Sequence, residues 1–134
     1  MPNPTSEKTL VIAAGVRAPQ ARAGGLFARE DAGHLGALVA REVLARAGVD
    51  PATLDEVVVG CVGPPQNQTN VGRVIALRAG VPRHVPAATV GRNCASGMEA
   101  VSRAATAVLS GRAKLELALG VEVMSQYPLP YNHK

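Results

Sequence analysis

The sequence has no tryptophan, one phenylalanine and two tyrosines in 134 residues. A core without aromatic bulk must be built from valine, leucine, isoleucine and alanine, which suits closely packed layers of helix and sheet. Only two cysteines occur, Cys61 and Cys94. Two thiols make neither a disulfide framework nor a metal site, so no metal is expected, and reduced thiols point to the cytoplasm. No apolar run approaches the roughly 20 residues of a membrane-spanning helix. Leu10–Val16 is short, with Glu7 near its start and Arg17 at its end, and reads as a buried strand rather than a signal peptide. No basic run with interleaved aromatics marks a nucleic-acid surface. The net charge of +4 comes from dispersed arginines, which would suit a polyanionic ligand.

What is present fits one small domain or a piece of a larger one. Residues 1–8, polar and with two prolines, read as a tail. Leu10–Ala14 is a continuous apolar run bounded by Gly15, the pattern of a strand buried on both faces. A helix is expected over 32–47, capped by Asp31 and stopped at Gly48. Leu35, Leu38, Val39 and Val43 set its apolar face, and Glu42 and Arg46 form an i,i+4 pair. His34, in its first turn, reads as a solvated surface residue. Glu56–Cys61 is a second buried strand, with Cys61 in the core. Asn70 opens a short helix ending near Gly80. Arg73 reads equally as an ion-pair partner or a surface arginine, and His84 lies in a loop between prolines. Leu115–Val123 alternates large and small residues and closes the order as another strand. Alternating strands and helices imply an α/β fold with right-handed crossovers, a largely parallel sheet and helices on both faces.

One stretch organises the rest. Thr89 and Val90 favour extended backbone, Cys94 falls where that strand ends, and an Ala-rich helix can run from Ala95 to Ser110. Asn93 is a candidate cap. A cysteine at a helix start meets free backbone N–H groups and the positive end of the helix dipole. Those N–H groups can bind an oxyanion formed when sulfur attacks a carbonyl. Gly97 would let another chain or a substrate approach the first turn. A helix this small and uncharged all round suits burial between layers. The plain alternative is an inert buried thiol at the start of an ordinary Ala-rich helix.

Residues 93–100, Asn-Cys-Ala-Ser-Gly-Met-Glu-Ala, resemble the nucleophile motif of the thiolases, which cleave or form 3-ketoacyl-CoA thioesters. Leu35-Gly36, Asn70–Arg73, Ala79–Pro82 and Glu122–Ser125 are similar to further family segments, so the likeness covers residues 10 to about 125. The chain departs from it at Ala18, in an Arg-Ala-Pro where Arg-Thr-Pro is common, and at Leu119, where the family carries glycine. The resemblance implies a thiolase-like N-terminal half whose buried nucleophile helix carries Cys94 as the acyl-thioester nucleophile, with its backbone N–H in the oxyanion hole. It assigns no catalytic role to Glu122 or Met124. It implies ping-pong acyl transfer between acyl-CoA or 3-ketoacyl-CoA and CoA, the chemistry of fatty acid metabolism. Coenzyme A is then a substrate, with no bound cofactor, no nucleic acid and no membrane partner. It also implies a homodimer or homotetramer in the full-length family, with Thr89 and Val90 near the dimer axis. The family's second half brings an activating histidine, a second cysteine in a Cys-x-Gly setting and further oxyanion donors. No Gly-His-Pro motif occurs here, and the inserted loop region that holds most of the CoA is absent. Residues 1–134 therefore read as a partial thiolase N-terminal domain, inactive alone. The alternative is a non-catalytic thiolase-like module with a structural or binding role. A ketoacyl synthase fits Cys94–Gly97 less well.

Overall fold

The computed structural model describes residues 9–127. The expected tail, Pro128, Pro130 and His133 lie outside them. Three parallel strands, β1 (Glu56–Gly60), β2 (Ala87–Val90) and β3 (Glu116–Gly120), form one sheet in the order β2-β1-β3. Val57 pairs with Ala87 on one side and Leu117 on the other, so β1 is central. Its three valines alternate between layers. Val57 and Val59 enter a core with α1 (Ala32–Ala47) and α2 (Val71–Arg78), whereas Val58 faces Val90 and Ala100 of α3 (Ser96–Leu109). Helices thus cover both faces of a parallel α/β sheet, as the sequence predicts.

The helix ends follow from local chemistry. Asp31 Oδ1 accepts from the His34 N–H at 2.9 Å, and Gly48 closes α1 in the left-handed region at φ 64°. Asn70 Oδ1 accepts from the Arg73 N–H at 3.1 Å to start α2. Asp31 also accepts from Arg78 and Gln68, tying the start of α1 to the end of α2. Arg73 is neither an ion-pair partner nor a free surface group. Its guanidinium donates to the carbonyls of Val85 and Arg83, both at 2.7 Å, and holds the loop leading into β2.

Three expectations need correction. Leu10–Ala14 is not a buried strand: it lies in no β-ladder, and Val11 and Ile12 are 73% and 85% exposed. Its composition suits a strand, but a strand needs a neighbour, and β3 pairs only with β1. The buried stripe of α1 is also shifted. Ala32, Gly33, Gly36, Ala37 and Ala40 face the core, Leu35, Val39 and Val43 are partly buried, and Leu38 is exposed. The reason is close helix packing: a Cβ on Gly36 would lie 2.3 Å from Ile75 Cδ1, so only the small face of α1 fits against α2. Finally, α3 is not buried all round. Ser96, Ala100, Ala104 and Ala107 pack inward, while Met98, Val101 and Leu109 are exposed.

Candidate active site

β2 ends at Val90, and after five intervening residues α3 begins at Ser96. The turn between them is an elbow around Asn93, whose φ of 48° places it in the left-handed region. Asparagine tolerates that region better than most residues. Asn93 therefore acts through its backbone rather than as the expected side-chain cap. Its carbonyl accepts from the Ser96 N–H at 3.0 Å and from the Ser96 hydroxyl at 2.7 Å. Ser96 Oγ in turn accepts from the Arg92 N–H at 2.8 Å. Ser96 is buried, so these bonds are shielded from water and lock the elbow. The helix cap position falls on Ala95, which offers no side-chain acceptor.

The sheet fixes the helix start. A Cβ on Gly60 would lie 2.2 Å from the Ser96 carbonyl oxygen, and one on Gly120 would lie 3.3 Å from Gly97 Cα. Both strands end in glycine where the first turn of α3 rests on them. A Cβ on Gly97 itself would meet only Gly120 Cα at 3.9 Å, so Gly60 and Gly120 are the residues that admit the first turn to the sheet. Outside, Arg92 bridges to Glu99 at 2.8 Å across the elbow.

Cys94 sits on this elbow as an exposed free thiol. The N–H groups of Gly97 and Met98, in the first turn beyond it, have no hydrogen-bond partner among the described residues. Such groups can stabilise negative charge on an oxygen near the sulfur. Among the described residues no histidine joins Cys94. His34 stands at the start of α1, 3.9 Å from Glu30, and His84 is exposed in the loop before β2. Thr89 and Val90 turn inward: Thr89 Oγ1 accepts from the Gly72 N–H at 2.9 Å, and Val90 is buried. The outer edge of β2 has no partner strand among the described residues, though Asn70 Nδ2 donates to the Ala87 carbonyl there at 3.1 Å.

Sequence reasoning gave Glu122 no catalytic role and did not foresee its structural one. Its carboxylate accepts from the Val62 N–H, from the Gly63 N–H at 3.4 Å and from the Tyr127 hydroxyl. It thereby holds the loop leaving β1. Cys61 lies in that loop, and Cys61-Val62-Gly63 spells a Cys-x-Gly that the sequence reading also passed over. The structure gives it the core role expected: Cys61 is buried, and burial, reinforced by the Glu122 carboxylate, pushes its thiol up to about 11. A cavity of about 510 Å³ lies between residues 17–23, α1 and residues 119–125; Cys94 does not line it. Among the described residues no cluster of His, Cys, Asp and Glu could hold a metal ion.

The fold and site define a parallel α/β domain that presents a cysteine on a strand-to-helix elbow. The chain belongs to the thiolase family: residues 10–134 match the thiolase N-terminal domain. It is 42% identical over 115 residues to the steroid 3-ketoacyl-CoA thiolase FadA6 of Mycobacterium tuberculosis, covering 85% of this chain and 28% of that protein. It superposes on the Bacillus anthracis acetyl-CoA acetyltransferase with a TM-score of 0.88 at 36% identity, covering 91% of this chain and 31% of that one. On the Acat5 thiolase of Ascaris suum in complex with coenzyme A the TM-score is 0.85 at 28% identity, covering 90% and 32%. The chain spans about a third of the length of the relatives it matches.

Proposed function

We propose that Cys94 is the acyl-thioester nucleophile of a thiolase-type acyl-CoA C-acyltransferase, and that this chain supplies the nucleophile half of the site. The observation that carries the reading is the exposed Cys94 on a locked elbow, followed by the unpaired N–H groups of Gly97 and Met98. In the first step the Cys94 sulfur attacks the thioester carbonyl and loses its proton. The carbonyl becomes a tetrahedral oxyanion, which the N–H groups of the first turn of α3 and of Cys94 would hold in this reading. Collapse breaks the bond to the CoA sulfur, which leaves as the thiol once protonated, and an acyl group stays on Cys94. In thiolysis the attack is on the 3-keto carbonyl instead. Collapse then breaks the carbon–carbon bond and releases an acetyl-CoA carbanion, which is protonated. In the second step the acyl group passes to a CoA thiol, or to the carbanion of an acetyl-CoA, and the Cys94 sulfur is released. Coenzyme A is a substrate in this scheme, and no bound cofactor or metal takes part.

The likeness to acetyl-CoA acetyltransferases and to a thiolase solved with CoA supports the substrate class. Both steps need a base for the thiol protons, and no described side chain reaches Cys94 to act as one. The groups completing the site come from the remainder of a thiolase subunit, in an assembly with the cytoplasmic setting that reduced thiols favour. The same lack of a base favours a second reading, a non-catalytic module with a structural or binding role.

The test is acylation itself. The protein is incubated with acetyl-CoA and with a more reactive acetyl thioester, then digested and read by peptide mass. The expected result is one acetyl increment on the Cys94 peptide, absent in Cys94→Ser. Labelling that persists in that variant would overturn the nucleophile assignment, and no labelling by either thioester favours the non-catalytic module.

A further inference from the structure

The start of β3 sets two carboxylates side by side. Glu116 is the register partner of Glu56 on β1, so both side chains leave the same face of the sheet. That is the face covered by α3, because Val58 and Ala118, two residues further along the two strands, pack with Ala100. Glu56 has a partner: Arg112 Nη1 stands 3.5 Å from its Oε2. Among the described residues Glu116 has none. Both of its carboxylate oxygens are sealed from solvent and make no hydrogen bond. The apolar cavity it borders brings no relief, since the walls supplied by residues 9–16, α1 and α3 carry no charged side chain.

The remaining charges lie at the turn from α3 into β3. Gly111, in the left-handed region at φ 78°, follows the end of α3, and the Ala113 N–H donates back to the Ala107 carbonyl at 3.1 Å. Asp55 then pins the entry to β3, accepting from the N–H groups of Lys114 at 2.6 Å and Leu115 at 3.0 Å. The charged groups around Glu116 are therefore Glu56 from β1, Asp55 just before it, and Arg112 and Lys114 from this turn. Arg112 is engaged with Glu56, and Asp55 with backbone. A sealed carboxylate without a partner carries a cost that its protonated form avoids. Burial and the Glu56 charge, with Arg112 pulling the other way and Asp55 adding to the repulsion, push the Glu116 carboxyl up to about 7.

We propose that Glu116 is a proton-operated latch between the start of β3 and the end of α3. Protonated, it stays packed beside Glu56, and the turn over residues 110–115 lies closed on the sheet. Ionised, it is repelled by Glu56 and competes for Arg112, so the carboxylate turns towards solvent and the turn loosens. A carboxyl raised in the folded state contributes stability that is fully present below its unfolded value and is lost as pH rises through the folded one. The window runs from the ordinary glutamate value of 4.5 to about 7, and the protein is tighter at its acid end. The proposal does not rest on acyl transfer, so its failure and that of the Cys94 reading are separable.

The carboxyl carbon of Glu116 reports its proton directly. In isotopically labelled protein, with that resonance assigned through its own backbone, the titration midpoint is expected above about pH 6. Glu56→Gln removes the neighbouring charge and frees Arg112, and should move the midpoint down by about one pH unit or more. Between about pH 5 and pH 8 the unfolding constant from urea titrations should rise at least tenfold. In Glu116→Gln, which keeps His34, His84 and His133, most of that rise should vanish. Amide exchange, corrected for its intrinsic pH dependence, should quicken over residues 110–115 across the same range. Four results would overturn the proposal: a midpoint below about pH 6, a midpoint unmoved by Glu56→Gln, a pH dependence of stability that survives Glu116→Gln, or exchange that does not quicken over residues 110–115. Should Glu116→Gln fail to fold, the midpoint and the exchange decide by themselves, since neither needs that variant.

Discussion

Cys61 and Cys94 occupy comparable points in the chain, each just beyond a strand at the carboxyl end of the sheet. Their surroundings separate them. Cys61 is buried and its thiol is pushed up to about 11, whereas Cys94 is exposed on the elbow. At pH 7.5 the Cys61 thiolate is then a fraction on the order of one in three thousand, and access is blocked as well. Pulse alkylation of the folded protein should label Cys94 at least a hundredfold faster, and preferential labelling of Cys61 would refute the placement. Asp31 yields a second prediction at this scale. Burial alone would raise its carboxyl, but bonds from Arg78, Gln68 and the His34 N–H outweigh it and hold the group at about 2. A carboxyl depressed in the folded state stabilises above its unfolded pKa and loses that contribution as pH falls through the folded value. Stability should therefore decline between about pH 4 and pH 2. In Asp31→Asn that part of the decline should be absent from urea titrations, at lower stability near neutrality.

At the scale of elements, the elbow depends on two glycines, Gly60 and Gly120, and one serine more than on Cys94. A methyl on Gly60 would collide with the Ser96 carbonyl, which is backbone and cannot swing aside. Gly60→Ala should cost about 1–3 kcal/mol or more in chemical denaturation, because α3 must lift from the sheet. Ser96→Ala removes two shielded hydrogen bonds and should cost about 1–3 kcal/mol. If both variants match the parent protein, the elbow is not held as described. Much of this was legible in the sequence. The helices over 32–47 and from Asn70, the strand ending at Gly60 and the helix start after Cys94 all carried their own signals in caps, glycines and apolar runs. What was not legible depended on partners distant in the chain. Whether Leu10–Ala14 forms a strand depends on a neighbour beside β3. Which face of α1 is buried depends on Ile75. The roles of Ser96 and Glu122 depend on backbone groups that only the folded elbow and loop present to them.

At the scale of the whole molecule, the question is what residues 1–134 do by themselves. Met98, Val101 and Leu109 leave an apolar band on the outer face of α3, and the outer edge of β2 has no partner strand among the described residues. Exposed apolar surface and an open strand edge both promote association. Were Thr89 and Val90 near a dimer axis, as the resemblance implies, pairing would use the β2 backbone, because their side chains are engaged within the chain. Light scattering should accordingly give a dimer or larger species, and a compact monomer would undo this packing argument. Association does not supply the missing chemistry. Among the described residues a second copy brings another Cys94, another His34 near Glu30 and another His84 in its loop, none of which is placed as a base beside Cys94 in its own chain. Thiolysis of a 3-ketoacyl-CoA by residues 1–134 should therefore not exceed the Cys94→Ala control, even where stoichiometric acylation of Cys94 is observed. Turnover above that control would show that a base reaches Cys94 without the rest of a thiolase subunit, and residues on the exposed face of the partner copy would be the place to look for it.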